Sequence, residues 1–186
     1  MKQHHVFSFL QRMGKSFMLP IAVLPVAGIF LGVGSSLTNE TTIAALHLES
    51  VLGQGTFLYS VLILLKQVGK VLFDNLPLIF AVSIALGMSK RRKEVAALAA
   101  IIAFFVMHAT INTLLCLDGS IVNGVVSNYI LDGSITSVCG MLSLEMGVFG
   151  GIVVGLGVSY LHNHFYQIQL PNVISFGLTS NLVTLL

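Results

Sequence analysis

The sequence predicts an all-α integral membrane protein with about four transmembrane helices and one or two amphipathic helices at the membrane surface. Three observations carry that reading. Of 186 residues, 55% are hydrophobic and only 9% are charged, where a soluble domain carries roughly 25% charged residues. Mean hydropathy is +0.94, and charge-free runs near the roughly 20 residues needed to cross the hydrocarbon recur along the chain. Seven of the nine Lys and Arg residues fall in two short segments, Lys2, Arg12 and Lys15, then Lys90, Arg91, Arg92 and Lys93. A water-soluble enzyme is thereby excluded. A net charge of +2 is too small for a nucleic-acid surface, and Cys116 and Cys139 form neither a CxxC pair nor a disulfide framework.

In chain order, residues 5–15 alternate apolar Val6, Phe9, Leu10 and Met13 with polar Gln11, Arg12 and Lys15, which predicts a helix lying on the cytoplasmic leaflet. The first span follows at 16–38, with Pro20 and Pro25 inside it. A cleaved signal peptide over residues 1–36 is the competing reading, against which stand the length of the apolar run, its two prolines and the spans that follow. Residues 57–70 are helical in pattern, with a mostly polar stripe containing Lys66 and Lys70, and read as an interfacial helix ahead of a second span at 71–89. One long tilted helix over 57–89 reads equally well, and both stay open. The third span is 95–117 and the last 146 to about 165. Basic residues stay cytoplasmic in short loops, so the two basic segments put the N-terminus inside, leaving 39–56 and 118–145 outside with Glu40, Glu49, Asp118, Asp132 and Glu145. Lys66 and Lys70 are the exceptions.

Small residues four apart let helices approach closely in lipid. Gly28 with Gly32, and the ladder Gly147, Gly151 and Gly155, are such sets; they suit packing inside one bundle or an interface between subunits. Polar groups inside the membrane mark either a solute path or an interhelical hydrogen bond. Asn75, just before Pro77, and His108 with Asn112 one turn on, are the substrate-path candidates, each with a plain structural alternative. The histidines at 4, 5, 162 and 164 are not spaced as metal ligands, so no metal site is expected. No Walker loop, GxSxG elbow or HExxH helix is present, so neither catalytic residues nor a cofactor are expected.

The run FLQRMGKSFMLPIAVLPVAG at 9–28 resembles the opening of the membrane subunit, enzyme IIC, in the glucose, maltose and N-acetylglucosamine branch of the bacterial sugar phosphotransferase system. FDNLPLIFA at 73–81, AALAA at 96–100, GVFGGI at 147–152, NHFY at 163–166 and Leu170-Pro171 match that family in the same order. The resemblance implies a homodimeric, multi-pass plasma-membrane permease that carries a sugar inward while it is phosphorylated, with phosphate passing from a IIA protein through a IIB cysteine. Glucose or maltose are the expected sugars, because the block at Asp74-Asn75 and the loop 117–145 look most like that branch.

Three departures from the family limit the expectation. The family's Thr-Glu motif does not occur, since Glu40-Thr41 stands in the reverse order. Neither Cys116 nor Cys139 is followed by the arginines of a IIB phosphorylation motif. From 177 to 186 the chain departs from the family's glycine pair and Arg-Phe-Val-Pro segment, as a truncated or frame-shifted reading frame would. Residues 1–186 therefore read as one domain, the N-terminal portion of such a permease, inactive alone. The alternative from another class is a non-enzymatic membrane scaffold that dimerises through its glycines.

Overall fold

The computed structural model describes residues 2–165, with side chains from Phe7 onward. The expectations for 177–186, for the motifs at 166 and 170–171, and for the side chains of Lys2, His4, His5 and Val6 lie outside the described residues. Among the described residues, eight helices and two small hairpins follow in the order α1 (Lys2–Ser16), α2 (Met18–Leu37), α3 (Glu40–Ala45), α4 (Glu49–Leu52), α5 (Phe57–Asp74), α6 (Leu76–Met88), α7 (Lys93–Leu117), β1 (Ile121–Val122), β2 (Val125–Val126), β3 (Ile135–Val138), β4 (Met141–Leu144) and α8 (Gly147–Phe165). α1 runs on into α2 through Phe17, whose N–H still reaches back to the Met13 and Gly14 carbonyls, so that Phe7–Leu37 forms a 31-residue apolar rod.

The rod and α7 are each long and apolar enough to cross a membrane, and α5 with α6 makes a third crossing if the bent pair is one span. α8 occupies the stretch expected for the last span, but its final turn carries His162, Asn163 and His164 and dilutes its apolar length. Between α5 and α6 the chain bends by 53°. The break falls at Asn75, later in the chain than the expected boundary at 70/71. Lys66 and Lys70 therefore belong to the same helix as Asp74, and α5 packs lengthwise on α2. A Cβ at Gly34 would meet the Lys66 backbone nitrogen at 2.6 Å, and one at Gly69 would meet the Leu31 nitrogen at 2.5 Å and the Ala27 carbonyl at 2.8 Å. Glycine at both positions lets the two backbones touch.

α6 is the centre of the bundle. Apart from Ser83 it is apolar on every side, as suits a helix with neighbours on most of its faces. Leu76, Phe80, Ile84 and Met88 pack against Phe17 and Leu24 on one side and Ile152 and Leu156 on the other. Ala81 joins Phe104 and Val154, while Ala85 meets Ala96 and Ala100 of α7. On α8, Gly155 accommodates the Ala81 carbonyl, where a Cβ would lie at 2.7 Å, and Gly151 lies directly against the Pro77 carbonyl. Two members of the glycine ladder, Gly151 and Gly155, are thus occupied within one chain, while Gly147 meets only the Glu145 carboxylate. Gly28 and Gly32, by contrast, face open space. Large apolar side chains such as Ile29, Leu98, Ile102 and Val106 point outward, the pattern of a surface solvated by lipid.

The loop expected over 118–145 holds two antiparallel hairpins. Each closes with two residues at positive φ, Asn123 (52°) with Gly124 (76°) and Cys139 (50°) with Gly140 (84°). Two successive positive φ values suit the turn whose twist matches a hairpin.

Candidate functional site

The site is built around the break between α5 and α6. Pro77, in the first turn of α6, has no N–H to donate and its ring crowds the carbonyl four residues earlier, so α5 cannot continue through it. Asn75 manages both ends. Its side-chain amide donates to the Val71 carbonyl at 2.8 Å, closing α5, while its backbone carbonyl accepts the Ile79 N–H and opens α6. Immediately before Asn75, Asp74 pairs with Lys70, one turn back along α5, at 2.6 Å, both about half exposed.

The β3–β4 hairpin is seated beside this break. Ser143, fully buried, shares a 2.7 Å hydrogen bond with His108 Nδ1, and the Asn112 side chain donates to the Leu142 carbonyl at 2.7 Å. These two residues of α7, one turn apart, grip the same strand. At the tip, Val138 enters the core beside Phe104 and Val154, and the Cys139 thiol donates to Asn75 Oδ1 at 3.5 Å. Burial pushes the Cys139 thiol above its ordinary pKa. Glu145 closes the hairpin's open end: one carboxylate oxygen accepts from the Thr136 hydroxyl and the other from the Gly147 N–H at 3.0 Å. A carboxylate there also complements the positive end of the α8 dipole.

Between hairpin and break lies a cleft of about 430 Å³, within the range that holds a small molecule. Asp74, His108, Thr136, Ser137 and Glu145 supply its polar groups, and Leu24, Phe73, Leu76, Pro77 and Val148 its apolar wall. Carboxylate and hydroxyl oxygens beside an apolar ring suit a neutral, hydroxyl-rich ligand, since each can hydrogen-bond an OH without requiring a counter-charge. Among the described residues no group of three His, Cys, Asp or Glu is placed to hold a metal.

Of the expected path residues, His108 lines the cleft, whereas Asn75 and Asn112 are not in its wall. The side chain of Asn75 caps a helix and that of Asn112 anchors a strand. Sequence reading did not anticipate Thr136, Ser137 or Glu145 in the cleft. The one available signal was Glu145 standing two residues before a glycine-rich helix, where an acid is favoured.

Two apolar helices of spanning length, a broken helix beside them and an inserted hairpin over a polar cleft define a multi-pass membrane protein with a solute-sized site inside its helical layer. The family model described as Phosphotransferase system, EIIC matches residues 14–186, and the chain belongs to that family of membrane components. It is 37% identical over 171 residues, 92% of its length, to the PTS system glucose-specific EIICBA component of Staphylococcus saprophyticus. The chain spans 24% of that relative's length.

Proposed function

We propose that this chain is the N-terminal membrane part of a sugar permease of the phosphotransferase system, of the glucose branch, acting in the bacterial plasma membrane. The observation that carries the proposal is the 37% identity, sustained over 92% of the chain, to a glucose-specific component. In this reading α8 is a fourth crossing and the N-terminus is cytoplasmic. The gathering of Arg12, Lys15 and 90–93 at one end of the bundle supports that orientation. IIA and IIB phosphocarriers and the sugar are the partners, and the cleft beside Asp74 and Glu145 lies on the sugar's route. A homodimer would use the open face at Gly28 and Gly32, because Gly151 and Gly155 already pack on α6. Maltose is the second sugar to test.

The residues from 1 to 186 contain neither the Thr-Glu motif nor a phosphocysteine motif, so the polypeptide alone is expected to phosphorylate no sugar. The test is a chimera in which residues 14–186 replace the matched stretch of the S. saprophyticus component. Membranes holding it should support phosphoenolpyruvate-dependent glucose phosphorylation. A chimera that inserts and folds but phosphorylates neither glucose nor maltose refutes the proposal.

A further inference from the structure

The far end of the bundle, about 17 Å along α6 from the cleft, holds a second and larger cavity of about 770 Å³. It opens between α1, the start of the 89–92 loop and the end of α8. Arg12 and Lys90 contribute its cationic groups, with Tyr160 and His164 beside them and Phe9 and Leu156 as apolar wall. The backbone at Lys90 is held in place by α8. Asn163 donates to the Met88 carbonyl at 3.0 Å and accepts the Lys90 N–H at 2.8 Å, fixing the backbone that carries the lysine. The Tyr160 and His164 rings lie parallel, 6.4 Å apart. Among the described residues, neither Arg12 nor Lys90 has an acidic partner; the one ion pair is Lys70 with Asp74.

We propose that this cavity binds an anionic phospholipid, with the headgroup phosphate between Arg12 and Lys90 and acyl chains along Phe9 and Leu156. Basic pockets between membrane helices at the headgroup level recruit anionic lipids in this way. The flank bears it out. Phe7 is 70% exposed, Leu10 55%, Tyr160 73% and Leu161 53%, so apolar side chains surround the basic mouth on the helices that face lipid. A free phosphate would use the two cations and leave the apolar wall without a role; a zwitterionic lipid would bring a choline group against both cations.

The test uses the full chain in neutral detergent with dioleoylphosphatidylglycerol or dioleoylphosphatidylcholine, read by native mass spectrometry and by thermal stability. The phosphatidylglycerol should bind more tightly and raise the melting temperature, and inorganic phosphate should raise it little. Each basic contact near the surface is worth about five-fold, so Arg12→Gln with Lys90→Gln should weaken phosphatidylglycerol about 30-fold and leave phosphatidylcholine unchanged. The pair Arg12→Lys with Lys90→Arg should restore binding. Arg91→Gln with Arg92→Gln, outside the cavity, should have a much smaller effect. The proposal is overturned if the double Gln variant, with unchanged helical circular dichroism, keeps its affinity. It is also overturned if Arg91 and Arg92 matter as much, if phosphatidylcholine binds equally well, or if phosphate alone stabilises as strongly.

Discussion

Replacing Gly151 with alanine tests the packing of α8 on α6 at its tightest point. The added methyl would fall inside the Pro77 carbonyl oxygen's contact radius, 2.8 Å from its carbon and 3.1 Å from the Pro77 Cα. All three atoms are backbone, so no rotamer change relieves them. Ordinary carbon contacts lie near 3.5–4.0 Å, so the helices must part by roughly 1 Å, and a gap of that size forfeits about a quarter to a half of each contact's attraction. Overpacking of this kind costs about 1–3 kcal/mol, against which alanine's better helix propensity returns at most about 1 kcal/mol. The control is on the same helix: a Cβ at Gly157 meets nothing within 4 Å, so Gly157→Ala should keep the propensity gain. The propensity gain is common to both, so the two variants should differ by the overpacking cost of about 1–3 kcal/mol, with Gly155→Ala between them because part of its clash is with the side chain of Ile84. Reversible unfolding in mixed micelles, followed by far-ultraviolet circular dichroism, measures the order. A Gly151→Ala protein as stable as Gly157→Ala refutes the reasoning.

Three further outcomes follow from the site. Ser143→Ala leaves the buried His108 Nδ1 unpartnered, and should cost about 1–3 kcal/mol; the same unfolding measurement in mixed micelles reads it, and a neutral effect would show that the bond is not what seats the hairpin. Cys116 is exposed while Cys139 is half-buried, with its thiol pKa raised by burial. Since the thiolate is the nucleophile, maleimide at pH 8 should label Cys116 well ahead of Cys139, and equal rates would contradict the seated hairpin. Asp74→Asn removes an exposed i,i+4 pair worth about 0.3–0.5 kcal/mol, so stability should barely change, while glucose phosphorylation by the chimera should fall if the cleft lies on the sugar's route; unchanged kinetics would remove Asp74 from that route.

The helices of this bundle were legible because lipid imposes a long apolar run on whatever crosses it. Residues 16–38 and 95–117 correspond closely to α2 and α7. The break was harder to place. A stripe of Lys66, Gln67 and Lys70 looks like a surface helix when read alone, but Gly34 and Gly69 let α5 lie on α2, a tertiary contact that no local pattern reveals. Asn75 and Pro77 carried the true boundary. The hairpins went unread although Asn123-Gly124 between Ile-Val and Val-Val is a strong local signal for one. In the second, cysteine stands in the left-handed position where asparagine is usual, which obscured it. The cleft is least legible of all: Asp74, His108, Thr136 and Glu145 come from α5, α7, β3 and the approach to α8, and only the insertion of the hairpin makes them neighbours.

That insertion has a mechanical consequence. One wall of the cleft is the first turn of α6, a helix packed into the core along its length; the facing wall is a ribbon of four-residue strands fastened chiefly by His108 and Asn112. The two walls therefore differ greatly in stiffness. A ligand larger than the space provided would move the ribbon before it moved α6, and the first bonds to yield would be those two on a single helix face, so the width of the opening is governed from α7 although the residues that line it come mostly from elsewhere.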